Sequence, residues 1–361
     1  MAPRSKAQPA AVAVVGGRLC TDLADLTSDL SALDSSGFWA VVVPYDGLPI
    51  CARFATVRPA RPWTGAKWIG PDPTSWRSTM SEAEFSAGVV AIRESIAAGD
   101  VYQVNLTRRL VASIDPGLPS SDIAALGAAL AEGNPAPYSA VVRLPAAGIA
   151  IASASPERFL QRDDRTVRSS PIKGTAATSD GFGDKDRAEN IMICDLVRND
   201  LGRVCDWGSI TVPSLLAVEH HPGLVHLVST VEGILRPDHG WSSLVEATFP
   251  PGSVTGAPKL AACTMIEALE TTTRGPYCGA VGWVDADQSQ GELNVAIRTF
   301  WIEGDQLWFG TGGGITYDST PEGEWEETEL KARRLLAVAS SSSAIPTERV
   351  PTGPALTAAG R

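Results

Sequence analysis

Thr166-Val167-Arg168-Ser169-Ser170-Pro171-Ile172-Lys173-Gly174-Thr175 reads as a short strand that runs into a turn. Pro171 fixes one backbone angle, and Gly174 permits a tight turn and the close approach of a ligand to the backbone. Lys173 stands between apolar Ile172 and a glycine, a setting that predicts poor solvation. A desolvated lysine sheds its proton more readily and becomes a usable nucleophile. An isolated lysine in a turn is ordinarily a solvated surface group, so any such role needs support from the rest of the chain.

Working outward, strand-like runs precede this stretch at short intervals, over 139–144, 149–153 and 158–162. A helix is expected over 185–198, strands over 210–212 and 224–235, and a second helix over 258–269. Three further strand-like runs, 277–284, 293–302 and 306–310, lead to a last helix. Thr320 caps it, Pro321 fills its first position, and it ends near Ala339, before a polar serine-rich tail expected to be disordered. Upstream, Ser81 and Glu84 form a capping box, Phe85, Val89, Ile92 and Ile96 recur at helical spacing, and Gly99 closes the helix. From Val101 to Leu110 the chain alternates, with Tyr102, Val104 and Leu106 on one face and Gln103, Asn105 and Thr107 on the other. That amide face is read as solvated. Before Ser81 only Phe38 to Val43 reads as a buried strand, and Arg61 to Arg77 reads as a loop. Many strands with unevenly interspersed helices indicate an α+β fold with large sheets, and no GxGxxG follows a strand to suggest a dinucleotide fold.

A net charge of −11 argues against a nucleic-acid surface, which needs clustered Lys and Arg. No apolar run approaches the roughly 20 residues that span a bilayer, and the start of the chain is a poor signal peptide. The six cysteines are scattered without a CxxC pair, so they read as reduced, mostly buried thiols of a cytoplasmic protein.

Other stretches carry chemistry. Asp186 and Glu189 lie three apart on one expected helix, and Glu324 and Glu327 repeat the spacing on another, with Lys331 four residues on. Paired carboxylates from two helices suit a hard divalent ion such as Mg²⁺, although each pair alone could be a solvated acidic face. Gly252 to Lys259 is a glycine-rich turn into a helix, able to present free N–H groups to an anion with Lys259 adding charge, or equally an ordinary helix start. Gly310 to Gly314 holds four glycines in five residues at a strand end, which points to a backbone that touches a ligand. Glu157 and His226 are candidate proton-transfer groups, and Arg298, in an apolar run, needs an anion.

Taken in order, these stretches resemble the chorismate-utilising enzymes, in their aminodeoxychorismate-forming branch. The matching runs are Gly99-Asp100-Val101-Tyr102-Gln103-Val104-Asn105-Leu106, Ser155-Pro156-Glu157-Arg158-Phe159, and Pro171 to Thr175. They continue through Arg187-Ala188-Glu189-Asn190, Arg198-Asn199-Asp200, Val225 to Thr230, and Gly256-Ala257-Pro258-Lys259. The last are Ala296-Ile297-Arg298-Thr299, the Gly312 to Gly314 turn and Glu326-Glu327-Thr328. The resemblance covers about 81–338, read as the catalytic domain, with 1–80 a shortened N-terminal segment and 339–361 the tail.

The resemblance implies two large stacked β-sheets in a sandwich flanked by helices, with the site in a cleft between the layers. It implies Mg²⁺ held by Glu189 and Glu327, with Asp186 and Glu324 acting through water. Arg298, Tyr277 and Gly314 would hold the enolpyruvyl carboxylate of chorismate, while Thr175, Gly256 and Lys331 complete the pocket. Glu157 and His226 would sit near the leaving 4-hydroxyl. Family members that add water carry a lysine where Gln103 stands, and anthranilate-forming members carry alanine where Lys173 stands. The implied reaction is amination of chorismate with ammonia to 4-amino-4-deoxychorismate, for 4-aminobenzoate and folate. Ammonia would come from free ammonium or from a separate glutamine amidotransferase subunit, because none of the cysteines fits a glutaminase nucleophile motif. The short segment before Ser81 implies weak feedback binding of aromatic amino acids. Alternatives are an anthranilate synthase or other chorismate aminase, and a non-catalytic chorismate-binding subunit.

Overall fold

The computed structural model describes residues 10–176, 181–221 and 224–340, so the expected tail lies almost wholly outside the described residues. Its strands are β1 (Val12–Val15), β2 (Arg18–Thr27), β3 (Phe38–Val43), β4 (Ile50–Pro59), β5 (Arg77–Ser78) and β6 (Gln103–Ser113). Then come β7 (Tyr138–Leu144), β8 (Ile149–Ser155), β9 (Arg158–Asp163), β10 (Thr166–Ser170), β11 (Ile172–Ala176) and β12 (Thr211–His221). The last are β13 (Leu224–Ile234), β14 (Gly256–Ala257), β15 (Ala280–Asp285), β16 (Gln290–Val295), β17 (Thr299–Glu303) and β18 (Gln306–Ile315). The helices are α1 (Glu82–Ala98), α2 (Ile123–Gly133), α3 (Asp184–Gly202), α4 (Trp241–Thr248), α5 (Lys259–Leu269) and α6 (Pro321–Ala339).

The α+β class is as expected. The stacked layers, however, belong to one continuous antiparallel ladder of 18 strands among the described residues. Its order begins β6–β18–β17–β8–β7–β1–β2–β4–β3. It continues β3–β15–β16–β9–β10–β13–β12, with β11 beside β10 on the same edge of β13. β5 and β14 flank β6. The ladder doubles back at two short crossings, β8 to β9 through Pro156 and Glu157, and β16 to β17 through residues 296–298. Across the fold Asn294 Nδ2 of β16 donates to the Tyr138 carbonyl of β7 at 2.7 Å. Strands far apart in the ladder therefore face one another.

The local signals explain the elements. Ser81 caps α1 with both capping-box bonds, and Gly99 ends it at φ 86°. Every residue of β3 is buried, and this strand anchors the main core with β15 and β16. Small and aliphatic residues of α2 and α6 cover β8, β17 and β18, while α1 and α5 close over β6. Asn190 Nδ2 on α3 donates to the Leu227 carbonyl of β13 at 2.8 Å, fastening that helix to the other end of the ladder.

Three expectations change. The amide face of β6 is not solvated: Gln103, Asn105 and Thr107 are all buried. The run 293–302 is two strands, broken where Arg298 takes a left-handed φ of 52°. β3 stands where a buried strand was expected, but three further strands occupy the poorly patterned first 60 residues, and α2 and α4 lie where no helix was expected. No described helix is long and apolar enough to cross a membrane, and all six cysteines are free thiols.

Candidate active site

Lys173 lies on β11, and its Nζ donates to the Ser253 carbonyl at 3.1 Å, in the short turn before β14. Among the described residues no carboxylate comes within ion-pair distance of it. Burial, opposed mainly by Glu189, holds its pKa below the usual lysine value, with Lys331 acting in the same direction as burial. A Cβ built on Gly314 of β18 would lie 3.3 Å from Lys173 Nζ and would collide with the side-chain amide of Gln103. Only a residue without a side chain lets Gln103 and Lys173 occupy this corner together. Gln103 is 1% exposed, yet its Oε1 has no hydrogen-bond partner among the described residues, which leaves an acceptor for a donor from a ligand.

Glu157 sits in the β8–β9 crossing and is 3% exposed. Burial pushes its carboxyl up to about 7, against the opposing pull of Ser253, Lys173, the Ile172 backbone and Arg298. A carboxyl with that pKa carries a proton near neutrality and can give it up, as a general acid must. Ser253 thus touches both groups, and nothing in the sequence singled it out within its glycine-rich turn.

The acidic residues gather where α3 meets α6. Lys185 lies 3.8 Å from both Glu189 and Glu324. A Cβ on Gly313 would stand 2.9 Å from a Glu324 oxygen and 3.7 Å from one of Glu327. Burial raises the pKa of Glu189 and of Glu324, and neighbouring carboxylates add to both shifts. Burial also pushes Glu327 up, but Lys331 at 2.6 Å, with Lys185 and Lys173, outweighs it and leaves that carboxyl low. Asp186 accepts from the Gly183 N–H at 2.9 Å and so caps its own helix. Among the described residues no three His, Cys, Asp or Glu side chains come close enough to hold a metal ion unaided. The donor set instead fits an ion that takes one or two carboxylates and completes its shell with water and an anionic ligand, as Mg²⁺ does. Crowded carboxylates with raised pKa values are the groups such an ion would relieve.

The other candidates divide. Lys331 Nζ also donates to the Gly312 carbonyl at 3.0 Å, so it belongs to the corner. Arg298 is half-buried, and its guanidinium makes no hydrogen bond or ion pair among the described residues. Its left-handed backbone, not a strand, aims it. Gly256 pairs with Val104 on β6 and brings the turn against Gln103. His226 is buried on β13 opposite Thr175 of β11, whose side chain lies outside the described residues. Tyr277 is set in the main core with its ring over Gly310, and its strongest electrostatic neighbours are Cys278, Arg274 and Glu270. The structure does not bring it up to Lys173. Lys259 is corrected: it is no free cation at a helix start, because Asp200 takes it at 2.6 Å.

Residues 69–337 match the family described as chorismate binding enzyme, and the chain belongs to that family. It is 35% identical over 316 residues to aminodeoxychorismate synthase component 1 of Escherichia coli K12, covering 82% of this chain and 68% of that protein. The protein of the same name from Salmonella typhimurium is 38% identical over 275 residues, covering 73% of this chain and 59% of its own length. The chain thus spans between three-fifths and two-thirds or so of these relatives. The menaquinone-specific isochorismate synthase of Escherichia coli superposes with a TM-score of 0.76 at 18% identity, over 92% of this chain and 89% of that one, which shows a shared fold.

Proposed function

We propose that this enzyme aminates chorismate to 4-amino-4-deoxychorismate, with Lys173 as nucleophile and Glu157 as proton donor. The observation that carries the reading is the setting of Lys173: an amine held by a neutral carbonyl, without a paired carboxylate, beside a buried amide. Such an amine keeps an available lone pair. Lys173 Nζ forms a bond to C2 of the ring, both ring double bonds shift by one position toward C4, and the C4–O bond breaks. Glu157 protonates the departing hydroxyl, which leaves as water. Ammonia then bonds to C4, both double bonds shift back, the C2–Nζ bond breaks with its electron pair returning to Lys173, and the new ammonium gives a proton back to Glu157. The sum is chorismate plus ammonia giving aminodeoxychorismate plus water.

In this reading Glu189 and Glu327 would hold Mg²⁺, and Asp186 and Glu324 would act through water. The ion would supply positive charge for the ring carboxylate. Arg298, whose guanidinium has no hydrogen bond or ion pair among the described residues, would take the second carboxylate, with the Gly314 backbone and Tyr277. Thr175, Gly256 and Lys331 bound the pocket, with His226 behind β11. Both relatives are named component 1, which supports a second, partner component; in this reading it is a glutamine amidotransferase that supplies the ammonia, and the product goes to 4-aminobenzoate.

Product analysis with chorismate, Mg²⁺ and ammonium tests the reading. Wild type should give aminodeoxychorismate, and Lys173→Ala should abolish it or divert amination to C2 with Mg²⁺ binding intact. Anthranilate from wild type without an added lyase, or an unchanged product from Lys173→Ala, would overturn it. No chorismate consumption even with high ammonium and a glutaminase partner would favour a non-catalytic subunit.

A further inference from the structure

The loop from Phe249 to Pro258 delivers Ser253 to Lys173 and Glu157, and it is held by contacts remote from the cleft. Lys259 Nζ, in the first turn of α5, donates to the Thr248 carbonyl at 2.9 Å and to Asp200 Oδ2 at 2.6 Å. Thr248 ends α4 and Asp200 lies near the end of α3. One ammonium group therefore ties both ends of the loop together and to the helix that carries Asp186 and Glu189. Asp200 and Lys259 are largely buried, with side chains 7% and 16% exposed. A small void under the loop is lined by Asp200, Thr248, Pro251, Gly252, Ser253 and Glu157, so Asp200 and the proton donor border the same space. On its far side the loop is pinned to β6, where the Asn105 N–H donates to the Thr255 carbonyl at 2.7 Å. With both flanks fixed, the Ser253 carbonyl has little freedom.

We infer that the Asp200–Lys259 pair is a positioning device for the reacting groups, setting through the loop where Ser253 holds Lys173. The role rests on the amination reading for its catalytic consequence, but its structural content stands apart from it. Lys259 bonds to Asp200 and the Thr248 carbonyl, not to Lys173 or Glu157, so the pair acts on the alignment of Lys173 and Glu157 rather than on substrate affinity. Displacing a reacting group by about 1 Å costs on the order of 100-fold in rate.

The test is the paired variant Asp200→Leu/Lys259→Met, which removes both charges together and leaves neither buried alone. The full chain is compared with wild type for thermal unfolding, kcat and KM with chorismate, and hydrogen exchange of peptides spanning 249–258 and 171–176. The expected result is a folded protein whose kcat falls about 10- to 100-fold, with KM for chorismate little changed and faster exchange confined to those peptides. Unchanged kcat and exchange would overturn the inference. A raised KM with unchanged kcat would also overturn it, because Lys259 would then act in binding. If the paired variant does not fold, Asp200→Asn keeps a hydrogen-bond acceptor for Lys259 and is judged by the same readouts. If wild type proves not to aminate chorismate, that reading fails alone, and the exchange of the loop still decides whether the pair positions it.

Discussion

Glu157 shows how one residue can be costly for the fold and useful for the reaction. Burial raises its carboxyl from 4.5 to about 7. The folded state therefore holds the proton more tightly than the unfolded chain does. Below about pH 4.5 both states are protonated and the fold loses nothing; as pH rises through 7 the penalty is reached in full. By linkage the cost is on the order of 3 kcal/mol above neutrality. Glu157→Gln removes the titration, so denaturant unfolding should find it more stable than wild type at pH 8 and no more stable at pH 4.5. Its aminating activity should be lost. Equal stability of the two proteins at pH 8 would show that Glu157 titrates normally. Lys173 makes the complementary case, since burial favours the uncharged amine that a nucleophile needs.

At the scale of the element, β18 is shaped by what crosses it. Along β18 each glycine faces a partner on β6, and Gly313 and Gly314 also meet groups from α6, β6 and β11. In Gly314→Ala the added methyl would meet the end of the Gln103 side chain, not backbone, so the amide must move and the strand need not. The expected outcome is a folded variant with kcat/KM lowered by about 100-fold or more, checked by circular dichroism and steady-state kinetics. Retained activity would remove the Gln103–Lys173 corner from the mechanism. Helix ends were readable in the sequence because capping is local: Ser81 with Glu84, Gly99 and Thr320 each act within one turn. α2 was not, because Ile123 to Ala131 is small and apolar on every side and offers no polar stripe. The two-residue alternation of β6 did show which side chains share a face. It could not show which face is buried, since that depends on β14, β18 and α5 coming from elsewhere.

For the whole molecule, the first four strands are structural partners of the catalytic region rather than an appendage. β1 pairs with β7 and β3 with β15, so they join the two halves of the ladder. Irregular burial, exposed and half-buried along most of β2 and β4, hid those two strands from any periodic reading, whereas the wholly buried β3 was legible. A fragment 69–340, close to the family match, loses these partners and opens the core around Phe38 to Val43. It should be insoluble, or lack cooperative unfolding when refolded, as followed by thermal melts with near-ultraviolet circular dichroism. A cooperative melt equal to that of the full chain would show that the ladder does not need its bridge.

The sequence alone determined what depends on neighbours along the chain: the capped helices, the strand leading to Lys173, the spacing of the carboxylate pairs and the order of motifs that marks the family. Tertiary structure decided which of those charges remain available. It joined Lys259 to Asp200, gave the Arg298 guanidinium no hydrogen bond or ion pair among the described residues, turned the Gln103 amide inward, and gave Ser253 its place between Lys173 and Glu157. The physical reason is that solvation and ion pairing depend on distance in space. Lys173 and Gly314 meet only because the ladder folds back on itself.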